Sequence, residues 1–136
     1  IEVILKIFPE AKFIHTCRNL NDSILSIYFS MLPELSWTLS LNTIKDYVHK
    51  YNKTISFFRE KFPKKILDIS LEKLTSNSEQ LSKEIFNFCE LKWNKSSLEY
   101  YKRTDLFTKT LSSSQIRKKI SKENQSKYEQ YYFLLK

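Results

Sequence analysis

Apolar residues recur at helical spacing in several parts of the chain, and two short apolar runs lie between them. Residues 1 to 8 and residues 41 to 61 each carry apolar positions on one helical face, and Pro9 and Pro63 stand behind them as stops. The runs AKFIHTC and KILDIS are too short for helices and are rich in residues that favour strands. The pattern therefore predicts two helices that end at prolines and two short strands.

Polar residues mark the boundaries of the other predicted helices. LNDS supplies an Asn or Asp cap for a helix over SILSIYFSML. SNSE has the Ser-x-x-Glu form of a capping box, from Ser76 to Glu79, and is predicted to open a helix that carries Leu81 inward. LKWN breaks that helix, SSLEYYK is predicted to form a short helix, and FTKTLSSSQIRKKI is predicted to be a loop leading into a helical turn. Helical spacing in the tail places four residues on one stripe: Tyr128, Tyr131, Tyr132 and Leu135.

The order of these elements indicates the fold class. Strands alternate with helices, which is typical of an α/β fold with a parallel sheet, here rich in helices. Two strands cannot make an independent sheet of that kind, and the chain opens on Ile1 rather than Met. We therefore expect residues 1 to 136 to form a single domain that lacks its N-terminal strands. The chain has no Gly, so these residues contain no Gly-rich phosphate loop.

The charge balance is strongly basic, with 23 Lys and Arg against 15 Asp and Glu and a formal net charge of +8. An anionic partner such as a nucleotide, a nucleic acid, an acidic glycan or a membrane surface would explain this balance, and so would a generally Lys-rich composition. The charge alone favours neither explanation. No run of about 18 apolar residues exists, so we expect no membrane-spanning helix in this chain.

The cysteines and histidines do not predict a metal site. Cys17 and Cys89 show no ligand spacing with His15 or His49, and we expect no bound metal. Two cysteines without a pattern are typical of buried free thiols in a reducing compartment, which predicts a cytoplasmic protein. His15 lies inside a predicted buried strand, where a hydrogen-bonded structural role is favoured over a role as a base.

The stretch FIHTCRNLNDSILSIYFS places an arginine between a predicted strand and a predicted helix. In open α/β sheets, ligands lie beyond the carboxyl ends of strands, where the first N–H groups of the next helix point. Arg18 stands at such a position, and three serines follow on one helical face: Ser23, Ser26 and Ser30. An arginine fork with a serine hydroxyl suits a phosphate. An Arg18–Asp22 ion pair beside solvated serines explains the same spacing, so both interpretations stay open.

FPEAKFIHTCRNLNDSILSIYF resembles the nucleotide-binding segment of sulfotransferases that use 3′-phosphoadenosine 5′-phosphosulfate (PAPS). That family typically has Phe-Pro-x-Ala-Lys-x-Ile, then Arg-(Asn/Asp)-Pro-x-Asp, then a Ser eight residues after the Arg. Arg18 and Ser26 match the Arg and Ser positions, and the resemblance implies that they hold the 3′-phosphate of the nucleotide. Leu20 stands where the family has its Pro.

The resemblance continues through nearly the whole chain, with the motifs in the family's order. DISLEKL looks like one of the family's strand ends, IFNFCELKWN is similar to its Phe-Cys-x-Leu-x-Trp segment, and TLSSSQIRKKI resembles Thr-x-Ser-x-x-Gln-Val-Arg-x-Pro-Ile. QSKYEQYYFLL resembles the family's closing helix. Taken together, the motifs are most similar to the TPR-associated and tyrosylprotein-type branch of the family. The implied fold is the helix-rich C-terminal part of a P-loop-type parallel sheet flanked by helices.

The same resemblance implies further contacts to the cofactor. Ser112 and Lys127 are candidates for contacting its phosphates, and Gln115 and Arg117 for ordering the loop that covers the nucleotide. A plain helix start also explains Ser112 and Gln115, because SSSQ has the form of a capping box. A solvated lysine explains Lys127 equally well.

The function implied by the resemblance is transfer of a sulfuryl group from PAPS to an acceptor hydroxyl on a sugar, a peptide or a small molecule, without a metal. The family's phosphosulfate loop and catalytic base lie N-terminal to these residues, so the chain alone is expected to be inactive. A basic nucleic-acid-binding module is one alternative, although the basic residues are scattered over several elements. A non-catalytic sulfotransferase fragment is another. Residues 31 to 41 are the predicted acceptor-side loop, with Trp37 a stacking platform or a lid packed on the core.

Overall fold

Two parallel strands joined by a pair of helices form the centre of the structure, a computed structural model that describes residues 1–103, 118–122 and 125–136. Strand β1 is Phe13–Cys17 and strand β2 is Ile66–Ser70. They pair in register from Phe13 opposite Ile66 to Cys17 opposite Ser70. The predicted α/β class with a parallel sheet flanked by helices is confirmed.

The helices lie before, between and after the strands. Their bounds are α1 Glu2–Ile7, α2 Leu20–Phe29, α3 Leu41–Lys61, α4 Leu71–Ser76 and α5 Ser78–Phe88. Three 3-10 helices complete the described elements: Ser36–Thr38, Lys95–Lys102 and Glu129–Leu135. Helices α2 and α3 form the connection from β1 to β2, as a parallel pair of strands requires. The predicted stops agree with the structure, since α1 ends two residues before Pro9 and α3 two residues before Pro63.

The core lies where α2, α3, α5 and β2 meet. Its buried apolar side chains are Ile24, Leu25, Ile44, Ile69 and Leu81. A buried polar group, Thr38, joins this core because its hydroxyl donates hydrogen bonds to the carbonyls of Leu32 and Leu35 at 3.0 and 2.7 Å. The loop before α3 is thus tied to the core by a hydroxyl whose hydrogen-bonding capacity is satisfied.

Helix α2 begins earlier than the sequence predicted. Its N-cap is Asn19, whose side-chain oxygen accepts the N–H of Asp22 at 3.1 Å. The cap predicted within LNDS is therefore wrong, because the residues of that segment already form the first turn of the helix. The N–H of Asn19 donates to Glu72 Oε1 at 2.8 Å, and this bond ties the start of α2 to the start of α4.

The predicted capping box at Ser76 is also wrong. Ser76 is the last residue of α4, and its hydroxyl donates to the carbonyl of Glu72 at 2.8 Å. Asn77 is the N-cap of α5, and its side chain makes no capping hydrogen bond to the backbone. The unpredicted helix α4 accounts for the difference, because its last turn uses the hydroxyl that was expected to open α5.

The two cysteines do not share one environment. Cys17 is exposed, with its thiol 3.6 Å from the carbonyl of Ile69, whereas Cys89 is half-buried. Both are free thiols, as predicted, but the expected burial of Cys17 is wrong because this residue lies at the end of β1. In the part of the chain that the structure describes, no helix is long and apolar enough to cross a bilayer.

Removal of the α2 cap should destabilise the protein. Asn19→Ala is expected to lower the free energy of unfolding by about 1 kcal/mol, because the N–H of Asp22 loses its acceptor. Urea denaturation measures the change. Asn42→Ala in α3 is the matched control and should be nearly neutral; an equal loss in both variants would contradict the role of the cap.

Candidate functional site

Arg18 lies in the two-residue connection between β1 and α2. Cys17 ends the strand, Asn19 caps the helix, and Leu20 is the first helical residue. The first backbone N–H groups of a helix and its positive dipole end favour an anion at this point. The structure thus places Arg18 where the sequence predicted it, at the carboxyl end of a strand beside a helix N-terminus.

Two carboxylates accompany the Arg18 guanidinium. Asp22 Oδ2 lies 3.6 Å from Arg18 Nη2, so the ion pair that was left open by the sequence is present. Asp22 is buried, only 1% exposed, and its Oδ1 accepts the backbone N–H of Tyr128 at 3.2 Å. The second carboxylate is that of Glu72, whose pKa lies below its usual value. The main cause is a hydrogen bond from the Ser70 hydroxyl, and the positive charge of Arg18 lowers this pKa further. The guanidinium is therefore held in an anionic setting.

The three serines on α2 do not behave alike. The Ser23 hydroxyl donates to the carbonyl of Asn19 at 3.0 Å, and the Ser30 hydroxyl donates to that of Ser26 at 2.6 Å. Ser26 itself is half-buried, and within the described residues its hydroxyl makes no hydrogen bond. Two of the hydroxyls thus bond the helix's own backbone, and the Ser26 hydroxyl differs from them in having no hydrogen bond in the described structure.

The tail of the chain packs on α2. The ring of Phe29 lies 5.4 Å from that of Tyr128 in a stacked arrangement, and the Tyr132 hydroxyl donates to Asn19 Oδ1 at 3.2 Å. Lys127 is exposed, with its ammonium 5.3 Å from the centre of the Tyr128 ring. The segment that carries Lys127 is thereby brought to the helix that follows Arg18. The remaining predicted contacts, Ser112, Gln115 and Arg117, lie outside the described residues.

A cluster that the sequence did not predict joins β1, β2 and α3. His15 and Asp68 are register partners on the two strands, and His15 Nδ1 lies 2.6 Å from Asp68 Oδ1. Arg59 of α3 donates from Nη2 to the same oxygen at 2.6 Å. Burial alone raises the pKa of Asp68, but the hydrogen bonds from Arg59 and His15 outweigh it and hold that pKa below its usual value. His15 is hydrogen-bonded, as expected of a histidine inside a strand.

One sequence signal could have found half of this cluster. His15 and Asp68 each occupy the third position of a five-residue strand, and in-register parallel pairing brings such positions together. No sequence pattern predicts the contact of Arg59 with Asp68, because this contact depends on how α3 crosses the sheet.

An open cleft of about 360 Å³ lies between β1, α2 and α3. Its lining residues are His15, Thr16, Cys17, Arg18, Leu20, Ser23, Ile27, Tyr47, Val48, Tyr51 and Asn52. Trp37, from the segment predicted to face the acceptor, stacks on Tyr47 with 3.9 Å between ring centres and 12° between their planes. Trp37 therefore packs against a residue that lines the cleft.

Comparison with known proteins identifies the family. A model of the sulfotransferase family matches residues 1–95, which include Arg18 and Ser26. An uncharacterized protein of Aquifex aeolicus (strain VF5) is 31% identical over 135 residues, an alignment that covers 96% of this chain. The chain spans 18% of the length of that relative. The chain belongs to the sulfotransferase family, and its parallel sheet with flanking helices is consistent with that fold.

The family membership defines the general chemistry. Sulfotransferases are transferases that work with a sulfuryl donor and an acceptor, so the family implies a PAPS-type donor in general. Among the described residues, no group of three or more His, Cys, Asp or Glu side chains is arranged to hold a metal ion.

Proposed function

We propose that the protein containing this chain transfers a sulfuryl group from PAPS to an acceptor hydroxyl, and that this chain binds the 3′-phosphate of the nucleotide. The observation that carries the proposal is the position of Arg18, between the end of a parallel strand and the N-terminus of a helix, in a sulfotransferase-family chain. Strand ends of this kind are where α/β proteins bind nucleotides.

The side chains at this point fit a phosphate. Arg18 supplies a guanidinium with several N–H donors, and α2 supplies backbone N–H groups and its dipole. Ser26, two turns into α2, supplies a hydroxyl without a hydrogen bond in the described structure. The buried carboxylate of Asp22 keeps the guanidinium beside the helix. A guanidinium carries five N–H donors, so the contact of Arg18 Nη2 with Asp22 does not by itself exclude a contact with a phosphate.

Binding and orientation are the roles we assign to this chain in the reaction. Sulfuryl transfer, like phosphoryl transfer, depends on in-line geometry and on positive charge and N–H groups around the departing phosphate. Arg18 and Ser26 hold the nucleotide at its 3′-phosphate, and Lys127 and Ser112 are further candidates for its phosphates. Gln115 and Arg117 order the covering loop in this proposal. The donor's reacting end would be held by residues outside this chain.

Loss of the arginine should weaken nucleotide binding. Arg18→Ala in the full-length protein is expected to raise the dissociation constant of adenosine 3′,5′-bisphosphate more than about tenfold, since a charge-assisted contact is lost. Isothermal titration calorimetry measures this change. Lys64→Ala, which removes one exposed surface cation, should leave the affinity within about twofold.

Two outcomes would contradict this assignment. Unchanged affinity in Arg18→Ala would exclude Arg18 from the nucleotide site. Binding of RNA with a steep salt dependence, combined with no binding of adenosine 3′,5′-bisphosphate, would instead favour a nucleic-acid-binding module.

A further inference from the structure

We propose that the tail, residues 125 to 136, controls how tightly Arg18 holds a phosphate, with Tyr132 and Asp22 as the positioning residues. The docked tail and a bound nucleotide stabilise each other through the start of α2, so each raises the affinity of the other. This inference rests on the proposed nucleotide site. It adds to that site a regulatory contact made through residues that do not have to touch the nucleotide.

Asp22 is shared between Arg18 and the tail. One of its oxygens, Oδ2, lies 3.6 Å from Arg18 Nη2, and the other, Oδ1, accepts the backbone N–H of Tyr128 at 3.2 Å. The Asp22 side chain is buried, so water offers little replacement for either partner. A change in the position of the tail therefore changes the negative charge that faces Arg18.

Two further hydrogen bonds of the tail reach the same connection between β1 and α2. The Tyr132 hydroxyl donates to Oδ1 of Asn19, the residue that follows Arg18, at 3.2 Å. Gln125 Nε2 donates to the carbonyl of Glu72 at 3.2 Å, and the Glu72 carboxylate accepts the N–H of Asn19 at 2.8 Å. Both bonds therefore hold the tail close to the residues that flank Arg18.

Docking of the tail favours the binding of a phosphate. An N–H donor on the Asp22 carboxylate withdraws part of its negative charge, and the carboxylate then competes less with a phosphate for the Arg18 guanidinium. Through Tyr132 the tail also holds Asn19, the cap of α2, in place, so the nucleotide has less ordering to impose. By thermodynamic linkage, a nucleotide that prefers the docked tail stabilises the docked tail by the same factor.

The Tyr132 hydroxyl can be removed without loss of the ring. Burial raises the pKa of this hydroxyl, and the Asp22 carboxylate raises it further, so the group is protonated at neutral pH and donates. The neighbouring Tyr131 is exposed, and its hydroxyl makes no hydrogen bond within the described part of the chain. Phenylalanine at either position therefore makes the same chemical change, and only at Tyr132 does it remove a bond to α2.

The first test is the affinity of the full-length protein for adenosine 3′,5′-bisphosphate, measured by isothermal titration calorimetry. Tyr132→Phe is expected to raise the dissociation constant roughly three- to tenfold, as loss of one hydrogen bond does, whereas Tyr131→Phe should leave it within about twofold. Unchanged affinity in a folded Tyr132→Phe would overturn the inference. Gln125→Ala breaks a different contact of the tail, should act in the same direction, and decides the question if Tyr132→Phe does not fold.

The second test follows the tail itself by hydrogen exchange. Saturating adenosine 3′,5′-bisphosphate should slow exchange of the Tyr128 amide by more than about fivefold, because that N–H is bonded to Asp22 only while the tail is docked. The slowing should persist in Lys127→Ala at saturating nucleotide, where the direct contact that Lys127 could make is gone. The amide of Ile85 in α5 is the control and should be slowed less, since it reports general stabilisation of the fold.

The outcomes of the exchange experiment separate this inference from the proposed function. If nucleotide binds but does not slow exchange at Tyr128, or slows Tyr128 and Ile85 equally, the coupling is wrong and nucleotide binding stands. Slowing that disappears in saturated Lys127→Ala would assign it to a direct contact and would also overturn the coupling. Failure of the wild-type protein to bind adenosine 3′,5′-bisphosphate would overturn the proposed function and this inference with it.

Discussion

Asp22→Ala is expected to lower the free energy of unfolding by about 3 kcal/mol, one of the two largest losses of stability we expect from a single substitution. The carboxylate is 1% exposed and lies 3.6 Å from the Arg18 guanidinium. It also accepts the backbone N–H of Tyr128 at 3.2 Å. Alanine leaves that N–H without its acceptor and the guanidinium without this counter-charge, and both losses cost free energy in a partly buried setting.

Two companion variants separate charge from hydrogen bonding at this position. Asp22→Asn keeps an oxygen for the Tyr128 N–H but removes the charge, so its loss should be smaller than that of Asp22→Ala. Asp46→Ala removes an exposed aspartate from α3 and should change stability by less than about 0.5 kcal/mol. Urea denaturation followed by tryptophan fluorescence measures all three. If Asp22→Ala loses no more free energy of unfolding than Asp46→Ala, the contacts of Asp22 with Arg18 and with the Tyr128 N–H add nothing to stability.

Leu25→Ala should also cost about 3 kcal/mol, within the range of about 2 to 5 kcal/mol for buried leucines. Leu25 is fully buried in the middle of α2, next to Ile24 and against the core that Ile44 and Ile69 complete. Truncation removes apolar surface that was withdrawn from water and leaves a cavity in a close-packed interior. The urea midpoint is expected to fall accordingly.

The control for this effect makes the same chemical change on the surface. Leu91 is 61% exposed, and Leu91→Ala should alter the free energy of unfolding by less than about 0.5 kcal/mol. Similar losses at Leu25 and Leu91 would mean that the interior assigned to α2 is wrong.

Hydrophobic periodicity and prolines predicted most of the fold. The α3 helix was predicted over residues 41 to 61, the bounds it has in the structure, because one apolar stripe runs through it and Pro63 follows. The strands were predicted from two apolar runs that are too short for helices and rich in residues that favour strands. Helix α4 was missed because Leu71–Ser76 is too short to show a period, and its presence altered the cap predicted at Ser76.

The candidate site was predicted only as far as local spacing allowed. The place of Arg18 follows from a strand run and a helix signal that are adjacent in the sequence. Its pairing with Asp22 was one of two open interpretations, and the contact of Asp22 with Tyr128 joins residues 106 positions apart. In the His15–Asp68–Arg59 cluster, the positions of His15 and Asp68 within their strands allow the pair once the register is known. The contact of Arg59 depends on how helix α3 crosses the sheet, which is set by packing between distant segments and leaves no local pattern.

Residues that pair between β1 and β2 lie 53 positions apart along the chain, with both long helices of the connection between them. Closure of such a long loop costs chain entropy before the strand hydrogen bonds offset it, so we expect strand pairing to be a late, non-local step in folding. Helix α3, which is built from local hydrogen bonds, can form long before that step. A substitution that loosens the packing of α2 on α3 is therefore expected to slow pairing of the strand that precedes Arg18, even where no residue next to Arg18 has changed.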